Sequence, residues 1–246
     1  MNNDYNHRRG LDPVERHQRT SFLRRTARET RNYRTRMKVM TAALAVLTLL
    51  TGIFFIISAL YNRTGSFTVM VSKVDMTQYG ITLSESRDMS YKTSHLNAQI
   101  SESITNISSE IIPDNVDEID GVHNGANYIA YTFYLQNGGE VPVPVEYTAN
   151  MSSVTSGLDE AIRLRLYVNG EETTYAKIKR DGSGPEPGTT PFPSATVMAR
   201  GRVDDLDPGE VVRFTVVIWI EGPDPDCLDP LIGGQMKIDM NFAIVH

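Results

Sequence analysis

The 246-residue sequence is short of the residues that most often carry chemistry: it has one cysteine, one tryptophan and five histidines. A single thiol excludes an internal disulfide, so any fold must close by burial alone, with Cys227 left as a buried thiol, an intermolecular bridge or a reactive group. The histidines (His7, His17, His95, His123 and His246) form no His-Glu-x-x-His pair, which excludes the signature in which two metal ligands and a base share one helix face. No Gly-x-Ser-x-Gly elbow, Walker loop or dinucleotide fingerprint occurs either. On this reading the chain is not an enzyme, since activity would need a site assembled from scattered residues. His123, in "DGVHNG", reads as a turn residue rather than a catalytic base.

Charge is missing from one place. Val39 to Tyr61 is a run of 23 residues without a charged side chain, rich in Leu, Ile, Ala and Phe. At about 1.5 Å per residue it covers the ~30 Å hydrocarbon core of a bilayer. A cleavable secretory signal is the rival reading, but its apolar core is usually only about 7 to 15 residues and ends in a small-x-small site. Here the nearest approach to such a site is Ile57-Ser58-Ala59. The expectation is a transmembrane signal anchor that stays in place.

The flanks orient it. Residues 1–38 carry ten Arg and one Lys against four acids, a balance of +7, whereas residues 39–246 carry 13 basic and 26 acidic residues, a balance of −13. Basic flanks remain in the cytoplasm. The organisation expected is a basic cytoplasmic tail (1–38), a single transmembrane helix (39–61) and an extracytoplasmic domain (62–246) at the cell membrane. Within the tail, Arg24, Arg25, Arg28, Arg31, Arg34, Arg36 and Lys38 are placed to meet anionic headgroups of the lipid bilayer, at roughly 1 kcal/mol each. A basic run is also the footprint of nucleic-acid binding, but no nucleic-acid motif accompanies it and none is expected. A cytoplasmic protein partner is left open.

The outer segment alternates in strand fashion. "SFTVMVSKV" from Ser66 to Val74 alternates Phe67, Val69 and Val71, and "NYIAYTFYLQN" puts Ile129, Tyr131, Phe133 and Leu135 on one face. "EVPVPVEYTAN" carries Pro142 and Pro144, which cannot donate ladder hydrogen bonds, so an edge strand is predicted there. Asn169-Gly170 separates two alternating runs, the chemistry of a two-residue hairpin with positive φ. "LDPGE" turns into "VVRFTVVIWIEG", where Val212, Phe214, Val216, Ile218 and Ile220 share one face and Val211, Val217 and Trp219 the other, so a central strand is predicted. Met236, Ile238, Met240, Phe242 and Ile244 close the chain in the same alternation. The fold class expected is all-β: a two-sheet sandwich of jelly-roll or Ig-like type after one transmembrane helix, with long loops near 85–126 and 180–196. Inside the first loop, Leu96, Ile100, Ile104, Ile107 and Ile111 recur at helical spacing, which admits an amphipathic helix or a long crossing connection.

The segments "DGVHNGANYIAYTFYLQNGGE", "YAKIKRDGSGPEPGTTPF" and "LDPGEVVRFTVVIWIEGPDPDCLDPLIGG" resemble uncharacterised membrane-anchored surface proteins of Gram-positive bacteria. More distantly, "YTFYLQNGGEVPVPVEY" is similar to the camelysin and TasA-like biofilm-matrix family. That resemblance implies a jelly-roll sandwich serving as matrix or surface material, with self-association or a cell-envelope partner. Members of that family usually carry a short cleavable leader, whereas this chain has a long basic tail and a long apolar run. A fibre role would need that leader removed and could use the strand at Ser66 to Val74 as one donated to a neighbour.

The loop "EGPDPDCLDP" offers Glu221, Asp224, Asp226 and Asp229 within nine residues, and hard oxygens at that density suit calcium, although not at EF-hand spacing. Cys227 lies in this loop and is expected to be a structural thiol rather than a dimer bridge. The acidic run "PDNVDEIDG" is a weaker metal candidate. Three functions fit: a surface structural, adhesion or binding module, which the topology favours; an envelope sensor or assembly component; and a surface hydrolase in which His123 would have to meet a metal held by Asp224 to Asp229.

Overall fold

The computed structural model describes residues 13–62, 66–99 and 104–245, and within these the side chains of 32–58, 66–98 and 104–245. The chain divides into two units, Met1–Tyr61 and Asn62–His246.

The described residues of the first unit form one helix, α1 (Pro13–Asn62), which opens on a proline whose missing N–H is no loss in a first turn. It begins well upstream of the apolar run, so the basic segment is helical from residue 13 onward. The stretch long and apolar enough to cross a membrane is Asn32–Ser58, 27 residues, and none of it is buried. Its threonines satisfy their hydroxyls internally: Thr41, Thr48 and Thr51 each donate to the carbonyl four residues back, at 2.8–2.9 Å. Arg34, Arg36 and Lys38 are exposed, while the side chains of Arg24, Arg25, Arg28 and Arg31 lie outside the described residues.

The second unit is mostly strand. In chain order it contains β1 (Ser66–Val71), the short helix α2 (Lys73–Tyr79), β2 (Ile81–Ser84), β3 (His95–Gln99), β4 (Gly121–Val122), β5 (Tyr128–Asn137), β6 (Val143–Val154), β7 (Ile162–Val168), β8 (Glu171–Ala176), β9 (Thr190–Pro191), β10 (Val197–Leu206), β11 (Val211–Ile220) and β12 (Met236–Ile244). One sheet runs β10-β6-β12-β1-β3; the other runs β2-β5-β11-β7-β8-β9, with β4 also on β5. Most neighbours are antiparallel, and β1 lies parallel to β12.

Period-2 alternation explains the core. Phe67, Val69, Tyr147, Met240 and Phe242 of one sheet and Tyr131, Phe133, Phe214, Val216 and Ile218 of the other are all buried in a single cluster. Phe214 sits among aromatics from both sheets: Phe133 at 5.6 Å stacked, Phe242 at 5.0 Å and Tyr147 at 5.3 Å edge-on. Such pairs add about 0.5–1.5 kcal/mol each beyond burial. As predicted, β11 is a central strand with two apolar faces. Its second face, Val217 and Trp219, joins Ala130 and Tyr167 under Ile107, Ile112 and Val116 of the connection after β3. The hairpin is also as predicted, with Asn169 at φ 52° and Gly170 at φ 92°.

Two expectations are corrected and one open choice is decided. The strand predicted around Pro142 and Pro144, β6, lies between β10 and β12 rather than at an edge. Pro142 precedes it, and Pro144 stands where the β10 ladder slips from Val203↔Val145 to Leu206↔Val143, so no donor is required of it there. Among the described residues the helical spacing from Leu96 to Ile111 makes no α-helix: Leu96 is on β3, Ile107 is buried in the outer cluster and Ile111 is exposed, while Ile100 lies outside the described residues. The segment is the crossing connection. Finally, β1 stops at Val71, where Ser72 caps α2 by accepting from the Val74 amide at 3.2 Å.

Candidate functional site

In the antiparallel order β11-β7-β8, the start of β7 lies beside the ends of β8 and β11. The loops that follow β8 and β11 therefore emerge at one end of the sheet, where Arg163 stands. Leu164 and Leu166 point into the core, and alternation sends Arg163 and Arg165 to the outer face with Trp219.

Arg163 is buried, with its side chain 5% exposed. Its Nη2 donates to Asp224 Oδ2, whose side chain is wholly buried, and lies 3.8 Å from Glu186 Oε2. Its Nη1 donates to the Ile162 carbonyl at 3.3 Å. Asp224 Oδ1 in turn accepts from the Asp226 amide at 2.8 Å, and Asp226 Oδ2 accepts from the Arg180 amide at 3.0 Å, which ties the two loops together. Glu186, Asp224 and Asp226 thus present carboxylate oxygens within 4.8 Å of one another.

Glu186 differs from its neighbours. The residue is 6% exposed, and among the described residues no hydrogen bond reaches its carboxylate. Burial first, and the Asp224 charge second, hold its pKa above the usual carboxylate value; Arg163 and Lys179 pull the other way without prevailing. Both buried acids sit between prolines, in "GPEPG" (residues 184–188) and "GPDPD" (residues 222–226). Each flanking proline removes a backbone N–H and pushes the residue before it towards an extended conformation. A cleft of about 550 Å³ opens here, lined among others by Lys179, Glu186, Pro187, Trp219, Pro223 and Asp224. Arg165 closes over Trp219, its guanidinium 5.2 Å from the ring centroid.

The four carboxylates expected together are not all brought together. Asp224 and Asp226 meet, joined by Glu186. Glu221 is engaged elsewhere, accepting from Trp219 Nε1 at 2.7 Å and from the Ser109 amide at 3.4 Å, so it pins the connection over the outer cluster. Asp229 is exposed at the start of a short 3-10 turn. Of the run "PDNVDEIDG", Asp117 accepts from Arg213 Nη2 at 2.7 Å and Asp120 from the Tyr134 hydroxyl. Burial and the Asp120 bond push the Tyr134 pKa up to about 12.

Neither His123 nor Cys227 joins the acids. The ring nitrogens of His123 lie 2.8 Å from the Gly121 carbonyl and 2.7 Å from that of Val116, the loop clip expected of a turn residue. Among the described residues no histidine lies in a potential metal-ligand cluster. Cys227 is half-buried, its sulfur accepting from Asn106 Nδ2 at 3.5 Å.

No family model and no curated protein matches the chain. Among solved structures, the β-glucosidase of Kluyveromyces marxianus in complex with glucose is similar at 10% identity and a TM-score of 0.26, over 68% of this chain and 15% of that one. At that level the likeness bears on neither fold nor function. The chain's own geometry is what remains, and its least expected members are Arg163 and Glu186. The signal that could have found the second was the repeated Gly-Pro-acid-Pro pattern.

Proposed function

We propose that the chain is a single-pass membrane-anchored surface protein, its amino terminus in the cytoplasm and its β domain outside, acting as a structural, adhesion or binding module. The observation that carries this reading is the apolar stretch Asn32–Ser58. Its Leu44, Leu47, Leu49, Ile53, Phe54 and Phe55 are 46–75% exposed, while the β domain closes a core of its own. Burying a large apolar side chain is worth about 1.5–3 kcal/mol, so a fully exposed apolar helix calls for lipid as its solvent. We read the two sheets as the layers of a β-sandwich of jelly-roll or Ig-like type, in keeping with the surface-protein and TasA-like resemblance. The fibre variant of that resemblance has less support, because β1 pairs with β12 and β3 of its own chain rather than standing free.

The lone cysteine supplies the test. Cys227 in intact cells is exposed to a membrane-impermeant maleimide, with Ser183→Cys in a Cys227→Ser background as a fully exposed second reporter. Labelling of both without permeabilisation is expected. Labelling only after permeabilisation would overturn the orientation, and a protein that alkaline carbonate releases from membranes would overturn the anchor.

A further inference from the structure

The lining of the cleft between the loops after β8 and β11 is unlike that of an ordinary small-molecule pocket. Its volume of about 550 Å³ lies within the range of roughly 300–1,000 Å³ usual for such pockets, which are mostly lined by apolar side chains. Here, among the described residues that line it, none is Val, Leu, Ile, Met or Phe. An apolar ligand, or the apolar side chain of a peptide, finds nothing aliphatic to bury against.

Charge narrows the choice further. The lining carries Arg163, Arg165 and Lys179 against Glu186, Glu221 and Asp224, a balance of zero, whereas residues 62–246 as a whole carry −13. Asp226, bonded to the Arg180 amide, is not part of the lining. A balanced lining favours neither sign of charge in a ligand. The charged groups are instead held in place by one another. Arg163 pairs with Asp224 and lies 3.8 Å from Glu186, and Glu221 accepts from Trp219 Nε1 at 2.7 Å. Arg165 Nε donates to Thr174 Oγ1 at 3.1 Å, while its guanidinium lies 5.2 Å from the Trp219 ring centroid. An arginine carries more N–H donors, and a carboxylate more acceptor positions, than these pairs consume. The cleft therefore presents donors and acceptors together, ordered before a ligand arrives, so that little side-chain freedom is lost on binding.

A hydroxyl group both donates and accepts, which is what a lining of mixed polarity and no net charge can use. Thr174 and Thr189 add hydroxyls of their own, and Lys179 an ammonium half-buried on the same wall. Pro187, Pro223 and Pro225 are exposed at the cleft and offer C–H surface without an N–H, a packing partner for the C–H face of a sugar ring. We propose that the cleft binds an uncharged saccharide, with Arg165 and Lys179 donating to its hydroxyls, Glu186 and Glu221 accepting from them, and the three prolines packing on the ring. Arg163 is a positioning residue that holds the two loops in register. The inference names a ligand class for the binding role proposed above and rests on that reading.

The test uses the full chain in a detergent without a sugar headgroup, screened against immobilised neutral and acidic oligosaccharides and then titrated calorimetrically with the neutral one retained most strongly. Saturable binding is expected, with a Kd of about 1 mM or below, and acidic oligosaccharides should bind more weakly. Lys179→Ala and Arg165→Ala should each weaken binding about tenfold, the scale of a lost hydrogen bond from a charged donor, while Asp229→Asn, outside the lining, should change nothing. Lys179→Ala should also leave the melting temperature unchanged, which separates lost binding from lost folding. The proposal is overturned if no neutral oligosaccharide binds saturably, if acidic ones bind equally tightly, or if Lys179→Ala and Arg165→Ala both bind like the parent. Such a failure would leave the anchor and its orientation standing, because maleimide labelling and carbonate extraction read those independently of the cleft.

Discussion

Removing Arg163 should unfold the domain from one end. The Arg163 and Asp224 side chains are 5% and 0% exposed, so Arg163→Ala leaves a buried carboxylate without its cation and a second, Glu186, beside it. Breaking a buried pair on one side costs about 3–5 kcal/mol, because the desolvation of the remaining charge is no longer offset. For a domain of this size each kcal/mol shifts the melting temperature by about 2–4 °C, which predicts a fall of about 6–20 °C. The assay is thermal unfolding of the full chain in detergent with chelator present, followed by fluorescence of Trp219, the sole tryptophan and a buried one. Two further variants separate the causes. Asp224→Asn should cost less than Arg163→Ala, since Glu186, 3.8 Å from the guanidinium, can close onto it. Arg163→Met with Asp224→Leu should recover most of the loss, because an apolar replacement of a buried pair is often near neutral. A loss below about 1 kcal/mol for Arg163→Ala would refute the reasoning, as that is the scale of a solvated surface pair.

Glu186 gives a pH dependence whose sign is fixed by its raised pKa. A carboxyl held above its unfolded value of about 4.3 favours the folded state when protonated; that stability is complete below the unfolded value and is lost as pH rises through the folded one. In chelator, Glu186→Gln should therefore melt higher than the parent at pH 7 and alike below about pH 4, and a gap that widens towards acid would contradict the sign. In the core, Phe214→Ala removes the ring that Phe133, Phe242 and Tyr147 surround, and should cost about 3–5 kcal/mol by urea unfolding; a loss under 1 kcal/mol would mean the two faces do not share that contact.

The parts of the fold legible in the sequence were those decided by neighbours two residues apart. Phe67, Val69 and Val71, or Met236 to Phe242, reveal a buried face because a strand puts every second side chain on it, and Asn169-Gly170 reveals a turn because positive φ is local chemistry. The errors arose where the deciding partner was distant. Pro144 argued for an edge until the slip in β10 removed the need for its donor, and that slip belongs to residues about 60 positions away. Leu96, Ile107 and Ile111 kept helical spacing while going to the shared core, the outer cluster and solvent in turn, so the period reflected no common face. The site follows the same rule. Asp224 and Asp226 could be singled out as an acidic loop, but the arginine that neutralises one of them and the glutamate that completes the group come from β7 and from the loop after β8. Only the order β11-β7-β8 makes those three chain positions neighbours. The same order explains why the two Gly-Pro-acid-Pro loops matter together: one brings Glu186 and the other brings Asp224 and Asp226 to the same buried arginine.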